Sequence, residues 1–398
     1  MIPLDGEANN VPIFDDYTNG IINELESWSN IFPQEEIKTI HFGGGSPQTL
    51  GLDNIMKILD FIKDKFNLEY LEEVGIELNP YPYEEVIDMI SCLNKKYKDF
   101  FRLRYSIGIQ SFDDEILTKS GRNYNFNTLL MFLRKLPSIK ETNNVFNFDF
   151  IAFGRFKEDK KGNKVLWDEK KQKIFVDFVS SGFTDSISLY TLELFPGSPW
   201  YGNKNLQSNL FGSEDEIYEE FSYLKSILLN SNLKRYEISN FSNTGKQSLH
   251  NKIYWNMENY IGIGVSSSSF LTNKDKKLEN NTNLKSIGLE VEKGSYGVRF
   301  KNTSSMKNYL KGEFIDKKSV QNLTQQDYLI EKFMLSLRTQ EGVGDLQEFV
   351  DVLVPSYKEL IDEYENNGLL VTTLNGFALT DNGMDLFNQV VTELLTTI

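Results

Sequence analysis

Cysteine is almost absent from this sequence. Among 398 residues there is a single cysteine, Cys92, which excludes a disulfide framework within the chain. One thiol also cannot build a metal or iron–sulfur site that needs several thiolates of the same chain. Cys92 falls in a predicted helix at what we interpret as a packed position, and we expect it to be a small buried hydrophobe.

Long apolar runs and positive charge are scarce as well. No apolar run has the length that crosses a bilayer, and residues 1–14 lack the basic end and apolar core of a signal peptide, so we expect a cytoplasmic protein with no transmembrane segment. The formal net charge of −15 disfavours nucleic acid as a partner. A hydrophobic content of 40% is enough for a sizeable core, and the length suits two or three domains.

Strand-like and helix-like patterns alternate from residue 17 to about residue 200. This alternation is typical of a parallel sheet with crossover helices, so we predict an α/β fold. Ser111 lies three residues before Asp114, which predicts a capping box at the start of one helix. The strand patterns are 38–42, 74–78, 102–110, 144–153 and 186–193, and the main helix patterns are 17–28, 53–66, 83–97 and 113–121.

Two later segments differ from this alternation. The lysine-rich residues 155–173 have no sustained period, so we predict a solvated loop; a phosphate loop is disfavoured because the required glycine and lysine spacing is missing. From residue 200 to about residue 320 the strand patterns are less regular and asparagine-rich turns are frequent. We interpret that stretch as a smaller second region.

The C-terminal part predicts a compact domain of another kind. Helix patterns at 325–339 and 357–368 precede two short strands joined through Asn375 and Gly376, a hairpin turn signal. Thr380 is placed to cap the last helix. Helices followed by such a hairpin favour a winged-helix-like domain, and the acidic residues between 359 and 365 argue against DNA binding.

A glycine-rich stretch, TIHFGGGSPQTL, directly follows the first strand pattern. It is neither a dinucleotide fingerprint nor a phosphate loop, because the required third glycine and the Gly-Lys pair are missing. Each later strand pattern ends in a polar residue: Glu77, Gln110 or Asp149. Because the C-terminal ends of parallel strands converge, we expect these residues and the glycines to share one ligand site.

Ten segments occur in an order that resembles one known family. They are HFGGGSP, IELNP, RYSIGIQSFDDEIL, GRNYN, NFDFI, SLYTLELFPGSP, YEISNFSNTG, HNKIYW, YIGIG and LRTQEGV. Their order is similar to that of the HemN/HemW branch of the radical S-adenosylmethionine (SAM) superfamily, from residue 17 to the C-terminus. The resemblance implies a partial (β/α)6 barrel over 1–205, a middle region over 206–320 and a HemN-type winged-helix-like domain over 321–398.

The resemblance also assigns residues to a SAM pocket. Gly44, Gly45 and Ser46 would line the methionine end of SAM, where bare backbone can accept bonds from its ammonium group. Glu77 and Gln110 would add polar partners along the cofactor. Arg122 would meet the SAM carboxylate, and Asp149 would bind a ribose hydroxyl. The alternatives are a surface ion pair for Arg122 and a strand-end cap for Asp149.

The sequence departs from the family in three places. It has no C-x3-C-x2-C motif for the family's 4Fe–4S cluster, so radical chemistry is not assigned to it. The family segment YGLPGQT is replaced by FGRFKED, and Leu249 stands where an arginine precedes HN. The first barrel strand is missing together with the cysteines, from which we expect a truncated chain; the alternative is a cluster-free protein that covers the open sheet edge with NVPIF.

The resemblance implies a heme-binding protein or heme chaperone, with heme or porphyrin and heme-accepting proteins as partners. His250, beside two aromatic residues in HNKIYW, could ligate heme iron, or it could stabilise a turn between domains. His41 is expected to be buried and hydrogen-bonded, and it is given no role. Two alternatives remain: an oxygen-independent coproporphyrinogen III oxidase-like enzyme of porphyrin synthesis, and a cluster-free module that binds SAM or heme.

Overall fold

The computed structural model describes residues 11–33, 35–158, 162, 164–195, 201–202 and 211–395. The helices are α1 (Val11–Ile31), α2 (Leu52–Lys65), α3 (Tyr83–Tyr97), α4 (Asp114–Lys119), α5 (Phe126–Lys135), α6 (Glu169–Ser180), α7 (Glu214–Leu229), α8 (Leu249–Trp255), α9 (Met306–Tyr309), α10 (Gln325–Leu337), α11 (Tyr357–Asn366), α12 (Asp381–Asp385) and α13 (Phe387–Leu394). The truncation expectation rests on residues 1–14, of which 1–10 lie outside the described residues.

The strands follow the predicted order. They are β1 (Thr39–Phe42), β2 (Glu73–Leu78), β3 (Arg102–Gln110), β4 (Asn144–Ala152), β5 (Lys157–Glu158), β6 (Lys164–Val165), β7 (Ser186–Thr191), β8 (Lys234–Arg235), β9 (Asn240–Ser242), β10 (Ser268–Thr272), β11 (Gly297–Lys301), β12 (Gln321–Leu323), β13 (Leu370–Thr372) and β14 (Phe377–Leu379). Each of the five strand patterns between residues 38 and 193 corresponds to one of β1, β2, β3, β4 and β7.

A seven-stranded sheet has the order β1-β2-β3-β4-β7-β9-β8. Strands β2, β3, β4 and β7 are parallel to their neighbours in that set, while β9 runs antiparallel to β7 and β8 antiparallel to β9. The predicted α/β fold with a parallel sheet is confirmed. The sheet continues beyond residue 205 into residues 234–242, and the domain boundaries at 205 and 320 stay a prediction.

The two faces of this sheet differ in chemistry. On one face, aromatic side chains pack together, as shown by Phe148 and Phe178 with ring centroids 4.8 Å apart. On the other face, strand register places Glu77 beside Ser106 and Ser106 beside Asn147. Both faces of a parallel sheet are usually apolar. The predicted ligand residue Glu77 therefore lies on the polar face of the sheet.

The described residues form two compact units. The sheet unit comprises His41–Gln48 and Glu73–Gln247, and the split unit comprises the described parts of Met1–Ile40, Thr49–Glu72 and Ser248–Ile398. The split unit contains the antiparallel sheet β10-β11-β12, whose core includes Trp28, Leu271 and Phe300. Within it, β13 and β14 form the predicted hairpin, and the Thr380 side chain accepts a hydrogen bond from Gly383 N as the N-cap of α12.

Two local predictions are wrong. Cys92 is exposed, because the buried positions of α3 are Val86, Met89, Ile90, Leu93, Asn94 and Tyr97, and residue 92 lies on the other face. The helix after β3 is capped by Asp113 rather than by a box of Ser111 and Asp114. The Asp113 side chain accepts from Glu115 N and Ile116 N, and Ser111 Oγ accepts from Asp113 N at 3.1 Å.

The lysine-rich segment is also more ordered than predicted. Its described residues contain a short antiparallel pair, β5 with β6, and the start of α6. Trp167 is buried, with its ring centroid 5.2 Å from that of Phe112. Lys157 pairs with Asp113 at 2.6 Å. This segment is ordered without a sustained period because basic side chains pair with carboxylates and one aromatic side chain is buried. Residues 159–161 and 163 lie outside the described residues.

Candidate functional site

The glycine loop that follows β1 offers bare backbone. Gly44 has a positive φ of 76°, a conformation that favours glycine. A Cβ added to Gly44 or Gly45 would meet no heavy atom within 4 Å. Space is therefore available beside the backbone of both residues, and their contact with a ligand stays a prediction.

Glu77 at the end of β2 is held against this loop. Its Oε2 accepts a hydrogen bond from Gly44 N at 3.2 Å, and its Oε1 lies 3.2 Å from His41 Nε2. The Glu77 side chain keeps 40% of its surface exposed. A carboxylate fixed from two sides and still open to solvent can receive the ammonium group of a ligand.

Ser46 and Arg122 share a partner that sequence reasoning missed. Asn79 Nδ2 donates to Ser46 Oγ at 2.6 Å, and Arg122 Nη1 donates to Asn79 Oδ1 at 2.7 Å. Asn79 N also donates to Gln48 Oε1 at 2.6 Å. The signal was present in the segment IELNP, in which Asn79 comes two residues after Glu77.

Gln110 adopts an uncommon backbone conformation at the end of β3. Its φ is 68°, and the register between β3 and β4 shifts between Gly108 and Gln110. A Cβ on Gly108 would lie 2.7 Å from Gln110 Nε2, so glycine leaves room for this amide. Bulges next to sites commonly redirect a side chain, and positive φ at a non-glycine residue is concentrated at functional positions.

Asp149 lies on the polar face of β4. Asn147 Nδ2 donates to Asp149 Oδ1 at 2.7 Å and to Ser188 Oγ at 2.9 Å. Burial raises the pKa of Asp149 to about 6; hydrogen bonding to Ser188 and Asn147 opposes this rise, and the Glu77 carboxylate adds to it. This influence of Glu77 ties two of the predicted ligand residues together electrostatically.

His250 is placed by α8 in the split unit. Its Nδ1 lies 2.8 Å from Thr39 Oγ1, and its Nε2 lies 2.6 Å from Tyr254 Oη. Both ring nitrogens are thus engaged in hydrogen bonds. An imidazole that ligates iron uses one nitrogen for the metal, so His250 would have to give up one of these two contacts to bind heme.

A family-type iron–sulfur site does not fit the residues present. The sequence has one cysteine, and Cys92 is exposed on α3. Among the described residues, no group of three or more histidine, cysteine, aspartate or glutamate side chains is arranged to hold a metal ion. In that same part of the chain, no helix is both long and apolar enough to span a membrane.

Known proteins share similarity with this chain in its C-terminal part and over most of its length. Residues 323–386 match the family model described as the HemN C-terminal domain. The chain is 26% identical over 389 residues to "Heme chaperone HemW" of Lactococcus lactis, covering 96% of this chain and 89% of the relative. It is 29% identical over 384 residues to "Heme chaperone HemW" of Buchnera aphidicola subsp. Schizaphis graminum, covering 94% and 89%.

The chain is similar to HemW/HemN-like proteins over most of its length. A solved structure agrees in fold: coproporphyrinogen III oxidase (HemN) from Escherichia coli, described as a radical SAM enzyme, matches with a TM-score of 0.69 at 17% identity and covers 98% of this chain and 85% of that one. The predicted resemblance to HemW/HemN-like proteins and the predicted α/β fold are confirmed. Three residues that contact the glycine loop or the neighbouring strand ends were not predicted as site residues. They are His41, Asn79 and Asn147.

Proposed function

We propose that this chain is a HemW-like heme-binding protein that acts as a heme chaperone and carries a SAM pocket at the glycine loop. The supporting observation is the likeness to relatives named "Heme chaperone HemW" over 96% of the chain and 89% of the relative. Its partners would be heme or porphyrin and the proteins that accept heme. The likeness to HemN supports the fold of the pocket.

The pocket residues suit the charges of SAM. Glu77 and the open backbone of Gly44 and Gly45 would receive the ammonium group, Arg122 would meet the carboxylate, and Asp149 would bind a ribose hydroxyl. Ser46 would line the methionine end, with Asn79 holding its hydroxyl at 2.6 Å. Bound SAM would supply a sulfonium centre. Because three cysteine ligands are not among these residues, no radical step is derived from them.

The heme part of the proposal is tested by absorption spectroscopy. Titration of the purified chain with heme should give a saturable Soret band. If His250 ligates the iron, His250→Ala should shift or weaken that band. Cys92→Ala tests the exposed Cys92 thiol as the alternative ligand in the same assay. A heme titration without saturation contradicts the chaperone proposal, and an unchanged spectrum in His250→Ala contradicts only the role of His250.

A further inference from the structure

Two glycines on different segments make room for the imidazole of His41. A Cβ added to Gly43, in the glycine loop, would lie 2.6 Å from His41 Nε2. A Cβ added to Gly75, in β2, would lie 2.6 Å from His41 Nδ1. Real Cβ atoms do not approach other heavy atoms so closely, so the ring occupies a space that only glycine leaves open at both positions.

The ring placed in this space meets the carboxylate of Glu77. His41 Nε2 lies 3.2 Å from Glu77 Oε1, and the same carboxylate accepts from Gly44 N through Oε2 at 3.2 Å. A Cβ on Gly43 would also lie 2.7 Å from Glu77 Oε1, so a side chain at this position would displace the His41–Glu77 pair. The His41 side chain is 24% exposed, compared with 40% for Glu77.

We propose that His41 is a positioning residue that orients the Glu77 carboxylate for the ammonium group of SAM at the glycine loop. This inference rests on the proposed SAM pocket. The imidazole donates one hydrogen bond to Oε1, the loop amide donates one to Oε2, and the remaining lone pairs of the carboxylate are left for the ligand. Without the imidazole the carboxylate rotates more freely, and ordering it opposes binding.

Calorimetric titration with SAM tests this role in the full chain. We expect His41→Ala to weaken SAM binding about tenfold, the effect of one lost hydrogen bond to a charged group. His41→Gln keeps a donor and should stay within about threefold of wild type. Thermal unfolding of each variant shows that the fold is retained.

A double-mutant cycle of His41 and Gly75 separates the positioning of Glu77 by His41 from a general disturbance of the local structure. Gly75→Ala displaces the imidazole without touching Glu77, so it should weaken SAM binding in wild type but have no further effect in His41→Ala. Equal effects of Gly75→Ala in both backgrounds, or SAM binding by His41→Ala within about twofold of wild type, would overturn the role of His41 alone. A wild-type chain that binds no SAM at any pH overturns the SAM pocket together with it.

Discussion

At the scale of single residues, Glu77 is the group on which the proposed SAM pocket depends most. Its two carboxylate oxygens have different partners, Gly44 N and His41 Nε2, each at 3.2 Å. Neither contact by itself neutralises the charge when the imidazole is neutral. The negative charge is therefore available to a cationic ligand.

Replacing this charge gives the first prediction. Glu77→Gln keeps the size of the side chain and removes the charge, so SAM affinity should fall by roughly 10- to 100-fold, as expected for the loss of a hydrogen bond to a charged group. Glu84→Gln in the first turn of α3 is the control, and calorimetry should give the wild-type affinity for it. Equal affinities for all three proteins would remove Glu77 from the SAM pocket.

Asp149 gives a second prediction, on stability. Its pKa is raised from 3.8 to about 6 by burial, so the folded protein holds this proton more tightly than an unfolded chain does. The resulting stabilisation is fully present below pH 3.8 and is lost as the pH rises through about 6. The amide side chain of the variant Asp149→Asn does not ionise. As the pH rises through this interval, the free energy of unfolding of the variant should therefore increase relative to that of wild type by roughly 1–3 kcal/mol.

Chemical denaturation at several pH values measures this difference. The exposed Asp177 of α6 supplies the control, because Asp177→Asn makes the same chemical change at the protein surface and should alter the free energy of unfolding by less than about 0.5 kcal/mol. A constant difference between Asp149→Asn and wild type from pH 4 to pH 6 would contradict the raised pKa, since an ordinary carboxyl group finishes its titration near the lower end of that range.

At the scale of elements, the segment after β4 is held by one buried side chain of α7. Glu220 Oε2 accepts from the backbone N–H groups of Phe153, Gly154 and Arg155 at 3.1, 2.7 and 3.2 Å. Burial raises the pKa of Glu220 to about 7, while these three hydrogen bonds oppose the rise. This carboxylate clamp lies at the place where the sequence departs from the family segment YGLPGQT.

The third prediction concerns this clamp. Glu220→Ala would leave three backbone N–H groups without their acceptor and should lower the free energy of unfolding by about 3 kcal/mol. Glu220→Gln keeps an acceptor oxygen and should cost less. Glu219→Ala removes only an exposed partner of Lys164, so denaturant unfolding should detect a change below about 1 kcal/mol. Similar losses for Glu219→Ala and Glu220→Ala would refute the clamp.

The elements also show what sequence reasoning can reach. Strand β3 was predicted from residue 102 to residue 110 and α3 from 83 to 97, as observed, because their periodicity is local. The packed position of Cys92 was wrong because the apolar stripe of α3 runs along another face. The contact between His41 and Glu77 was not predicted, because it depends on Gly75 and Glu77, which lie in another strand.

At the scale of the whole molecule, one buried carboxylate connects distant segments of the split unit. Glu24 of α1 accepts from Gly264 N at 2.9 Å, from Asn302 Nδ2 at 2.7 Å and from Tyr309 Oη at 2.6 Å. Its exposed fraction is 0%, and burial raises its pKa. One side chain from the first described helix thus satisfies donors from three later segments of the same unit.

The fourth prediction follows from that arrangement. Glu24→Ala would strand three donors and open a cavity, and it should destabilise the chain by about 3–5 kcal/mol. Glu26→Ala, on the exposed side of the same helix, is the control, because its contact with Lys65 at 3.9 Å is a weak surface pair. Thermal and denaturant unfolding should both rank the two variants in this order, and a loss below about 1 kcal/mol for Glu24→Ala would contradict it.

The positions of the Glu24 partners in the sequence affect how the protein folds during synthesis on the ribosome. They lie 240, 278 and 285 residues further along the chain, and a growing chain is made from its N-terminus at about 5–20 residues per second. The Glu24 carboxylate of α1 therefore leaves the ribosome without these three hydrogen-bond donors. They are synthesised on the order of ten seconds or longer after it. Residues 73–247 of the sheet unit are made during that interval, so Glu24 of the first described helix gains these partners only after the sheet unit has been synthesised.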